Sequence, residues 1–515
     1  MRKVKGQFLG FLLVVLLLPH IVLSNNIERE FRGMWIATVN NLDWPSRNNL
    51  TVEEQKNELL EMLNTLHNLH FNAVIFQVRP AGDAFYRSST EPWSYWLSGE
   101  QGKAPAQNWD PLHFLVDECH KRGIELHAWM NPFRLSMNLN SEFSPRSVAK
   151  RHPEWVLTYG NKHYLDPGIP AVRTYLNNVV AELVRKYDID AIHFDDYFYP
   201  YPIFGKAFPD TLSFKTYNRG FANHELENWR RQNVDLIIES LNKTIKSIKP
   251  KVKFGISPFG VWKNYDESDE IRGSATSAGN TNYHNLYADV INWQRKGWID
   301  YMIPQIYWEI GHPQVDYITL VNWWGEQSFG RHVYVGHALY KLAEGKTIAW
   351  ANPDELPEQV MIARRNKNIS GSAFFRMQHL NLNPKDFKNR VDDEIYQAQA
   401  LLPTMSWLDN IPPQAPRKIK TKGFFQKDEL LVKYTKKHAQ SPDHLGYLVF
   451  YSENKQAPDF NNPANIRYFL NENFIELSAI NSLPANKKGY LWLVAIDKHH
   501  NKGRAVGPVK IKIKP

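Results

Sequence analysis

Two adjacent carboxylates stand at the end of one short apolar segment. Residues 189–197 read as a buried strand that carries Asp195 and Asp196 near its end, before an aromatic run that stops at Pro200. Asp is disfavoured in strands and unfavourable to bury, so this pair indicates a strand that opens into a polar cleft. The alternative is that one carboxylate caps the next segment and the other pairs with an arginine.

A carboxyl pair of this kind suits the hydrolysis of a glycosidic bond. That reaction usually needs one protonated carboxyl group, which donates to the leaving oxygen, and one ionised group that acts as nucleophile, base or stabiliser. Asp195 and Asp196 could supply both, because repulsion between adjacent carboxylates raises one of the two pKa values. A substrate with an N-acetyl group could itself provide the nucleophile. Glu309 is a third candidate acid, with an exposed loop residue as the competing interpretation.

Polar and aromatic side chains also stand at the ends of other predicted strands. Interior layers of a barrel are expected to be Val, Ile or Leu, so several polar strand ends together indicate a pocket. We expect ten residues to bind substrate: Gln77, Arg79, His127, Trp129, Asn131, His193, Tyr197, Gln305, Tyr307 and Trp308. The two tryptophans are expected to stack on sugar rings, whereas the polar residues position hydroxyls or tune the carboxylates.

The histidines leave one other chemistry open. His127, His193 and His337 lie at or near predicted strand ends, and with Asp195 they could bind a metal ion in the manner of an amidohydrolase. The His-x-His pair that usually opens such a site is missing from the first predicted strand. The sequence therefore predicts neither a metal nor a cofactor.

Alternating strand and helix patterns must position these residues. Strand patterns cover residues 31–39, 71–80, 123–131, 189–197, 252–258, 301–308, 332–340 and 371–377. Helical spacing follows them at residues 52–70, 111–122, 172–187, 226–248, 286–296, 315–324, 355–366 and 384–400. Eight such units favour an α/β fold of the (β/α)8 TIM-barrel type over an open doubly wound sheet. The carboxyl ends of the strands would then bring the candidate residues to one rim.

The character of the chain changes after residue 402. Residues 410–416 are a proline-rich linker, and the remainder alternates apolar and polar residues in short runs typical of strands. This pattern favours a small all-β sandwich, and the segments at 447–451 and 495–498 resemble a fibronectin type III module. We expect a TIM-barrel glycoside hydrolase-like domain at residues 27–403 and the fibronectin type III-like sandwich at residues 411–515.

The composition is typical of a folded protein, and the distribution of charge does not indicate a strongly charged partner. Of 515 residues, 43% are hydrophobic and 22% charged, which is typical of globular rather than disordered chains. The net charge of +9 is spread along the chain without a long basic block, so nucleic acid is not an expected partner. Cys119 is the only cysteine, which excludes an intrachain disulfide.

The amino terminus has the pattern of a secretory signal. A basic start at residues 1–5 precedes an apolar run at 8–18 and a plausible cleavage site near Ser24. We therefore expect a signal peptide at residues 1–24 and an exported protein, periplasmic or extracellular, with no integral membrane segment after cleavage. An uncleaved amino-terminal anchor is the alternative.

Longer motifs around the candidate residues resemble a known family. The motifs lie at residues 29–39, 43–46, 76–86, 127–132, 165–168, 193–200, 255–260 and 304–308. Together they resemble the glycosyl-hydrolase-like family ten over residues 29–378. The resemblance implies a TIM barrel, often followed by a fibronectin-like module, in exported bacterial proteins that cleave peptidoglycan glycan strands stripped of their stem peptides.

The sequence thus predicts an exported glycoside hydrolase that cleaves an amino-sugar polysaccharide, best matched by peptidoglycan glycan strands. The polysaccharide is the expected partner. Two other classes stay open, namely a non-catalytic carbohydrate-binding barrel and a metal-dependent hydrolase or deacetylase. Which carboxyl group acts as the acid also stays open.

Overall fold

A computed structural model describes residues 27–424, 427–433, 443–471, 474–476 and 488–512. The predicted signal peptide at residues 1–24 lies outside the described residues. Within the described ranges, no helix combines the length and the apolar character needed to cross a membrane.

A ring of parallel strands forms the centre of the first unit. The strands up to residue 374 are β1 (Phe31–Ile36), β2 (Ala73–Arg79), β3 (Glu125–Met130), β4 (Val156–Tyr159), β5 (Lys162–Leu165), β6 (Ala191–Phe194), β7 (Lys253–Ile256), β8 (Tyr301–Met302), β9 (His332–Val333), β10 (Val335–His337) and β11 (Gly371–Phe374). β4 and β5 form a separate antiparallel hairpin, and the others pair in the order β10-β11-β1-β2-β3-β6-β7-β8-β9.

The ring closes through the seventh strand position. β9 and β10 are separated by the single residue Tyr334, so they are two halves of one strand. The first half pairs with β8 and the second with β11, both in parallel register. Within residues 27–424 this gives eight strand positions around a closed barrel, and the predicted TIM-barrel class is confirmed.

Helices return the chain along the outside of the ring. They are α1 (Val52–Asn68), α2 (Tyr95–Ser98), α3 (Pro111–Lys121), α4 (Val148–Arg151), α5 (Pro170–Lys186), α6 (Thr211–Thr216), α7 (Leu226–Ile248), α8 (Asn282–Asn285), α9 (Val290–Arg295), α10 (Tyr317–Glu326), α11 (Leu339–Glu344), α12 (Ile348–Ala351), α13 (Glu355–Arg365), α14 (Met377–Leu382) and α15 (Phe387–Arg390). α1 shows why such segments are helical. Thr51 and Glu54 form a capping box at its start, and its leucines recur on one buried face.

Two groups of predicted elements differ from the structure. The strands expected at 189–197 and 301–308 end early, at Phe194 and Met302. After Met302, Pro304 has no N–H to donate, and isolated bridges from Gln305 to Phe259 and Gly336 continue the pairing. The closing helix expected at 384–400 is a 3-10 turn (Pro384–Asp386), the short α15 and a π turn (Val391–Ile395). Positive φ angles at Asn383, Lys385 and Asp386 interrupt a right-handed α-helix there.

The second unit is a small all-β domain, as predicted. Among the described residues after 417, its strands are β12 (Lys418–Phe424), β13 (Lys427–Lys433), β14 (His444–Ser452), β15 (Ile466–Leu470), β16 (Phe474–Glu476), β17 (Lys488–Asp497) and β18 (Val506–Lys512). They form two antiparallel sheets, in the orders β12-β13-β16 and β15-β14-β17-β18. The likeness to a fibronectin type III module stays a prediction.

The all-β domain packs against the amino-terminal ends of the barrel strands. Lys251, two residues before β7, has its Nζ 2.6 Å from carboxylate oxygens of both Asp409 and Asp443. Arg29, just before β1, donates from Nη2 to the carbonyl oxygen of His500 at 2.9 Å. The carboxyl-terminal rim, where barrel active sites lie, is therefore on the opposite face.

Candidate active site

A cavity of about 540 Å³ opens at the carboxyl-terminal rim of the barrel. We call it the rim cavity. Every strand position of the ring contributes to its lining, which consists of Trp35, Ala37, Val39, Asn40, Leu42, Gln77, Trp129, Arg134, Met137, Asp195, Asp196, Tyr197, Tyr201, Ser257, Phe259, Gln305, Tyr307, Trp308, Tyr340, Lys341 and Phe375. The structure thus brings together the two predicted aspartates and six of the predicted substrate-binding residues: Gln77, Trp129, Tyr197, Gln305, Tyr307 and Trp308.

Asp195 is surrounded by N–H donors. Trp129 donates from Nε1 to Oδ2 at 3.0 Å, and Asn131 donates from Nδ2 to the two oxygens at 3.3 and 3.2 Å. The backbone N–H of Tyr197 donates to Oδ1 at 3.3 Å. Burial raises the pKa of Asp195, and the charge of Arg134 together with these donors opposes that rise. The donors favour the ionised carboxylate and hold it in one orientation.

Asp196 lies in a different environment, although it is the next residue. Its Oδ2 accepts a hydrogen bond from the hydroxyl of Tyr201. Burial and the negative charge of Asp195 raise the pKa of Asp196 to about 7, against the hydrogen bonds of Tyr201 and Gln305. A large fraction of Asp196 therefore keeps its proton at neutral pH. A protonated carboxyl group beside an oriented carboxylate is the pair that acid-assisted cleavage of a glycosidic bond requires.

Gln77 offers a buried donor to the rim cavity. Its Oε1 accepts from the backbone N–H groups of Thr38 at 3.1 Å and Val39 at 2.9 Å. Its Nε2 has no hydrogen-bond partner within the described part of the chain. A buried donor that the protein leaves unsatisfied is suited to an acceptor on a substrate.

Aromatic rings make up much of the remaining lining. Trp308 packs edge-on against Phe259 with ring centroids 5.4 Å apart, and Trp35 packs edge-on against Phe375 at 6.1 Å. Neighbouring rings fix each of these faces in position. Such faces suit stacking on the apolar sides of sugar rings.

Arg79 and Asn131 lie behind the cavity wall rather than in it. Arg79 is completely buried in an ion pair with Glu91 at 2.7 Å, and its Nη1 donates to the carbonyl oxygen of Asn131 at 2.6 Å. Asn131 uses its Nδ2 on Asp195, and its Oδ1 accepts from the backbone N–H of Arg134 at 3.0 Å. Both side chains are placed to position the carboxylate, and direct contact with substrate stays a prediction for them.

His127 and His193 lie deeper in the barrel, below the rim cavity. The hydroxyl of Tyr301 bonds Nδ1 of His127 at 2.7 Å and Nδ1 of His193 at 3.0 Å. Nε2 of His127 bonds Glu125 at 2.9 Å, and Nε2 of His193 bonds the Ser257 hydroxyl at 2.9 Å. Burial holds the pKa of His193 well below its usual value. These histidines fill a polar interior layer, and their contact with substrate is untested.

Glu309 also lies outside the lining of the rim cavity. Its Oε2 accepts from Nε1 of Trp350 at 2.9 Å, on α12. The preceding Trp308 faces the rim cavity, so the chain turns Glu309 toward the helical shell. A catalytic role for Glu309 stays a prediction without support from its position.

The candidate metal ligands are not gathered around Asp195. Within the residues that the structure describes, no group of three or more His, Cys, Asp and Glu side chains is arranged to hold a metal ion. His337 bonds Gln359 at 3.3 Å and Ser372 at 3.0 Å, away from the rim cavity.

Arg134 and Lys341 line the rim cavity without having been expected from the sequence. Arg134 donates from Nε and Nη2 to the carbonyl oxygen of Pro80 at 3.1 and 3.0 Å, and its guanidinium lies 5.3 Å from the ring centroid of Tyr197. Lys341 donates to the carbonyl oxygen of Tyr307. Arg134 lies in the loop after β3, where no periodicity applies, and Lys341 lies on the short α11, which the strand predicted at 332–340 did not anticipate. The position of Arg134 three residues after Asn131 was the available signal.

A family model and two relatives in sequence identify one family for this chain. Residues 30–351 match the model of the family described as Glycosyl hydrolase-like 10. The chain is 40% identical over 483 residues to Glycosyl hydrolase YngK of Bacillus subtilis (strain 168), covering 93% of this chain and 92% of that protein. It is 38% identical over 381 residues to Glycosyl hydrolase DigH of Escherichia coli (strain K12), covering 69% and 84%. Among solved structures, the PgaB (BpsB) glycoside hydrolase domain from Bordetella bronchiseptica is similar with a TM-score of 0.46 and 12% identity, over 71% of this chain and 98% of that one.

Proposed function

The chain belongs to the glycosyl hydrolase-like 10 family, and on that premise we propose that it is a glycoside hydrolase acting on an amino-sugar polysaccharide. Peptidoglycan glycan strands free of stem peptides are the proposed substrate. The observation that carries this proposal is the pair Asp195 and Asp196, which share one cavity but differ in their hydrogen-bond partners and proton affinity. Two relatives named glycosyl hydrolases support the reaction class.

Asp196 is the proposed general acid. It donates its proton to the glycosidic oxygen while the bond between that oxygen and the anomeric carbon breaks, and the leaving sugar departs as an alcohol. The carboxylate of Asp195 faces the positive charge that develops on the anomeric carbon and the ring oxygen. Water then adds to the anomeric carbon, and its released proton returns to Asp196.

The substrate's own N-acetyl group gives Asp195 a second task. When that acetamido oxygen attacks the anomeric carbon, a carboxylate that accepts from the acetamido N–H stabilises the intermediate. Loss of cleavage on N-deacetylated strands, with retention of the anomeric configuration on acetylated ones, is the signature of this route. Cleavage that is independent of the N-acetyl group assigns Asp195 the charge-stabilising or nucleophilic role.

Export to the periplasm or beyond is part of the proposal. It is supported by the basic start and the apolar run of residues 1–24, which lie outside the described residues. The described all-β domain, with its two antiparallel sheets, supports the proposal of a fibronectin type III-like module. Such a location fits a polymer of the bacterial envelope as substrate.

Digestion of peptide-free peptidoglycan strands tests the proposed function. The wild type is expected to release new reducing ends, and Asp195→Asn and Asp196→Asn are expected to lower that rate by about 10²–10⁴-fold, since each removes a charge or proton used in the transition state. Asp117→Asn is the matched control, because this aspartate is exposed on α3 and does not line the rim cavity.

The alternatives give different results in the same assay. Equal strand binding by all four proteins without any cleavage would assign a carbohydrate-binding barrel instead of an enzyme. Release of acetate that a chelator abolishes would assign a metal-dependent deacetylase. Either result overturns the proposed function.

A further inference from the structure

A second cavity of about 580 Å³ lies beside the rim cavity. The two cavities share Asn40 and Met137 in their linings, so they adjoin one another. We call the second one the side cavity. Loops that follow β1, β2 and β3 build it, and none of the candidate catalytic residues belongs to it. Both volumes fall within the roughly 300–1,000 Å³ of pockets that enclose small ligands.

The junction between the cavities is held in place by the loop after β1. Asn41 donates from Nδ2 to the carbonyl oxygens of Pro45 at 2.9 Å and Trp96 at 2.8 Å. Asn40 has a φ of 54°, a left-handed conformation that asparagine tolerates better than most residues. The loop that separates the two cavities is therefore fastened directly to a wall of the side cavity.

The side cavity has the surface of a sugar-binding site. Tyr95 is 48% exposed, and its ring packs edge-on against Trp96 with centroids 6.4 Å apart. The side-chain amides of Gln101 and Asn138 belong to the same lining. Aromatic faces stack on pyranose rings, and amides can both donate to and accept from hydroxyl and acetamido groups.

The charges of the side cavity are of one sign. Glu100 and Glu142 supply carboxylates to it, and its described lining contains no Lys, Arg or His. Asp83 also lines it, but burial raises the pKa of this carboxyl group to about 7, so the negative charge at neutral pH comes mainly from the two glutamates. Asp83 is 2% exposed, and its Oδ1 has no hydrogen-bond partner among the described residues. The rim cavity differs, because Arg134 and Lys341 accompany its two aspartates. A ligand group that carries a carboxylate is therefore repelled from the side cavity but not from the rim cavity.

We propose that the side cavity binds the next units of the same polysaccharide chain, on one side of the bond cleaved in the rim cavity, and that it accepts amino-sugar units without a carboxylate. This inference rests on the proposed function and adds chain-length dependence and unit selection to it. In a strand that alternates acidic and neutral amino sugars, a neutral unit would occupy the side cavity. The acidic unit would face the rim cavity and its basic residues.

The test compares Tyr95→Ala with Tyr265→Ala on glycan fragments of increasing length. Tyr265 is 50% exposed and lines neither cavity, so the two variants remove equally exposed tyrosines. For the wild type, kcat/KM is expected to rise with chain length until both cavities are filled. For Tyr95→Ala, kcat/KM on the longest fragments is expected to be about tenfold lower than for the wild type, because one aromatic contact is removed. On the shortest cleaved fragment, the kcat/KM of Tyr95→Ala is expected to equal the wild-type value. Tyr265→Ala should follow the wild type at every length.

Different experimental results would contradict binding in the side cavity and the proposed glycoside hydrolase activity. If the wild type cleaves the strands but Tyr95→Ala and Tyr265→Ala behave alike at all lengths, the side cavity does not bind the chain. If no protein releases reducing ends, the proposed function itself fails. Thermal melting of both variants separates lost contacts from lost folding, and Tyr95→Trp should restore the length dependence.

The charge preference is tested by Glu142→Lys at low ionic strength. Glu142 is exposed, so the substitution changes charge without opening the core. The variant is expected to gain about threefold in kcat/KM on strands whose units carry carboxylates, relative to neutral N-acetylglucosamine oligomers. An equal change on both substrates would overturn the proposed selection against carboxylates.

Discussion

At the scale of single residues, the site depends on the partners that each carboxyl group finds. Asp195 faces an indole, an amide and a backbone N–H, which stabilise a negative charge. Asp196 faces that charge and one tyrosine hydroxyl, so burial and repulsion favour its neutral form. The sequence alone predicted that one of two adjacent carboxylates would bind its proton more tightly. Which one does so depends on Trp129 and Asn131 at the end of β3, on Tyr201 in the loop after β6 and on Gln305 after β8.

With Asp196 as the proposed acid, its hydrogen bond from Tyr201 is expected to set the alkaline limit of activity. Activity should fall as pH rises through about 7, because Asp196 then loses the proton that it donates. The Tyr201 hydroxyl favours the ionised form, so Tyr201→Phe should raise the pKa of Asp196 and move the alkaline limb of the kcat/KM profile up by about one pH unit. Tyr217→Phe, at another partly exposed tyrosine, serves as control. An unmoved limb, or one that moves to lower pH, contradicts this assignment.

Trp129 donates one hydrogen bond to Asp195, and its ring lines the rim cavity, where we expect it to stack on a sugar. Trp129→Phe keeps an aromatic ring and removes the N–H that donates to Asp195 at 3.0 Å. A hydrogen bond to a charged group contributes enough that kcat should fall by about tenfold, while KM stays within about twofold. Trp308→Phe should instead raise KM, since Trp308 packs on Phe259 and not on a carboxylate. Steady-state kinetics of both variants separate the two effects.

At the scale of elements, the barrel ring supports the site through a polar interior layer. Tyr301 on β8 bonds both His127 on β3 and His193 on β6, so one phenol links three strands beneath the rim. The expectation that barrel interiors are filled by branched aliphatic residues does not hold in this layer. Its polar groups are paired with one another, which lets them remain buried.

Gly255 on β7 makes room for this layer. A Cβ atom at residue 255 would lie 1.9 Å from Cζ of Tyr301, so the phenol would have to move away from its two histidines. Gly255→Ala should lower the free energy of unfolding by about 1–3 kcal/mol, as overpacking of a core usually does. Gly279→Ala is the matched control, because no atom lies within 4 Å of a Cβ placed there. Chemical denaturation measures both, and equal midpoints would show that Tyr301 yields without loss of stability.

At the scale of the whole molecule, the all-β domain and the site occupy opposite faces of the barrel. Its contacts through Arg29 and Lys251 lie at the amino-terminal strand ends, and the rim cavity lies at the carboxyl-terminal ends. The domain is thus placed to stabilise the barrel, because contacts at this face contribute to stability rather than to catalysis.

His500 lies where the all-β domain contacts the barrel, and it should make the stability of the folded protein depend on pH. Burial lowers its pKa to about 3 from an ordinary 6.5, and its Nδ1 accepts from the backbone N–H of Leu402 at 3.3 Å. The unfolded chain binds a proton at His500 as pH falls below 6.5 whereas the folded chain does not, so this contribution to stability is lost on acidification.

His500→Asn should therefore reduce the loss of stability between pH 7 and pH 5 by about 2 kcal/mol. Asparagine suits the φ of 58° at this residue. His113→Asn, at a side chain that is 72% exposed, is the control and should leave the pH slope as in the wild type. Urea denaturation at both pH values measures the difference. Identical slopes in all three proteins would contradict the role of His500.

Local patterns in the sequence suffice to predict the barrel and the position of the candidate site. The alternation of strand and helix patterns predicts eight βα units, and polar residues at strand ends predict a site at the carboxyl rim, because both signals are local and repeat along the chain. Residues such as Asp195, Gln77 and Trp308 could be proposed from that position alone.

The partners that each of those residues faces could be identified from the folded chain alone. Arg79 lies two residues after Gln77 on β2, but a register shift separates the two residues, and Arg79 pairs with Glu91 behind the rim cavity. His193 lies two residues before Asp195, and it bonds Tyr301 and Ser257 below the cavity. The proton affinity of Asp196, the side cavity between three loops and the docking at His500 all depend on distances between residues far apart in the chain. Periodicity along a sequence carries no information on such distances, because they are set by closure of the ring and packing around it.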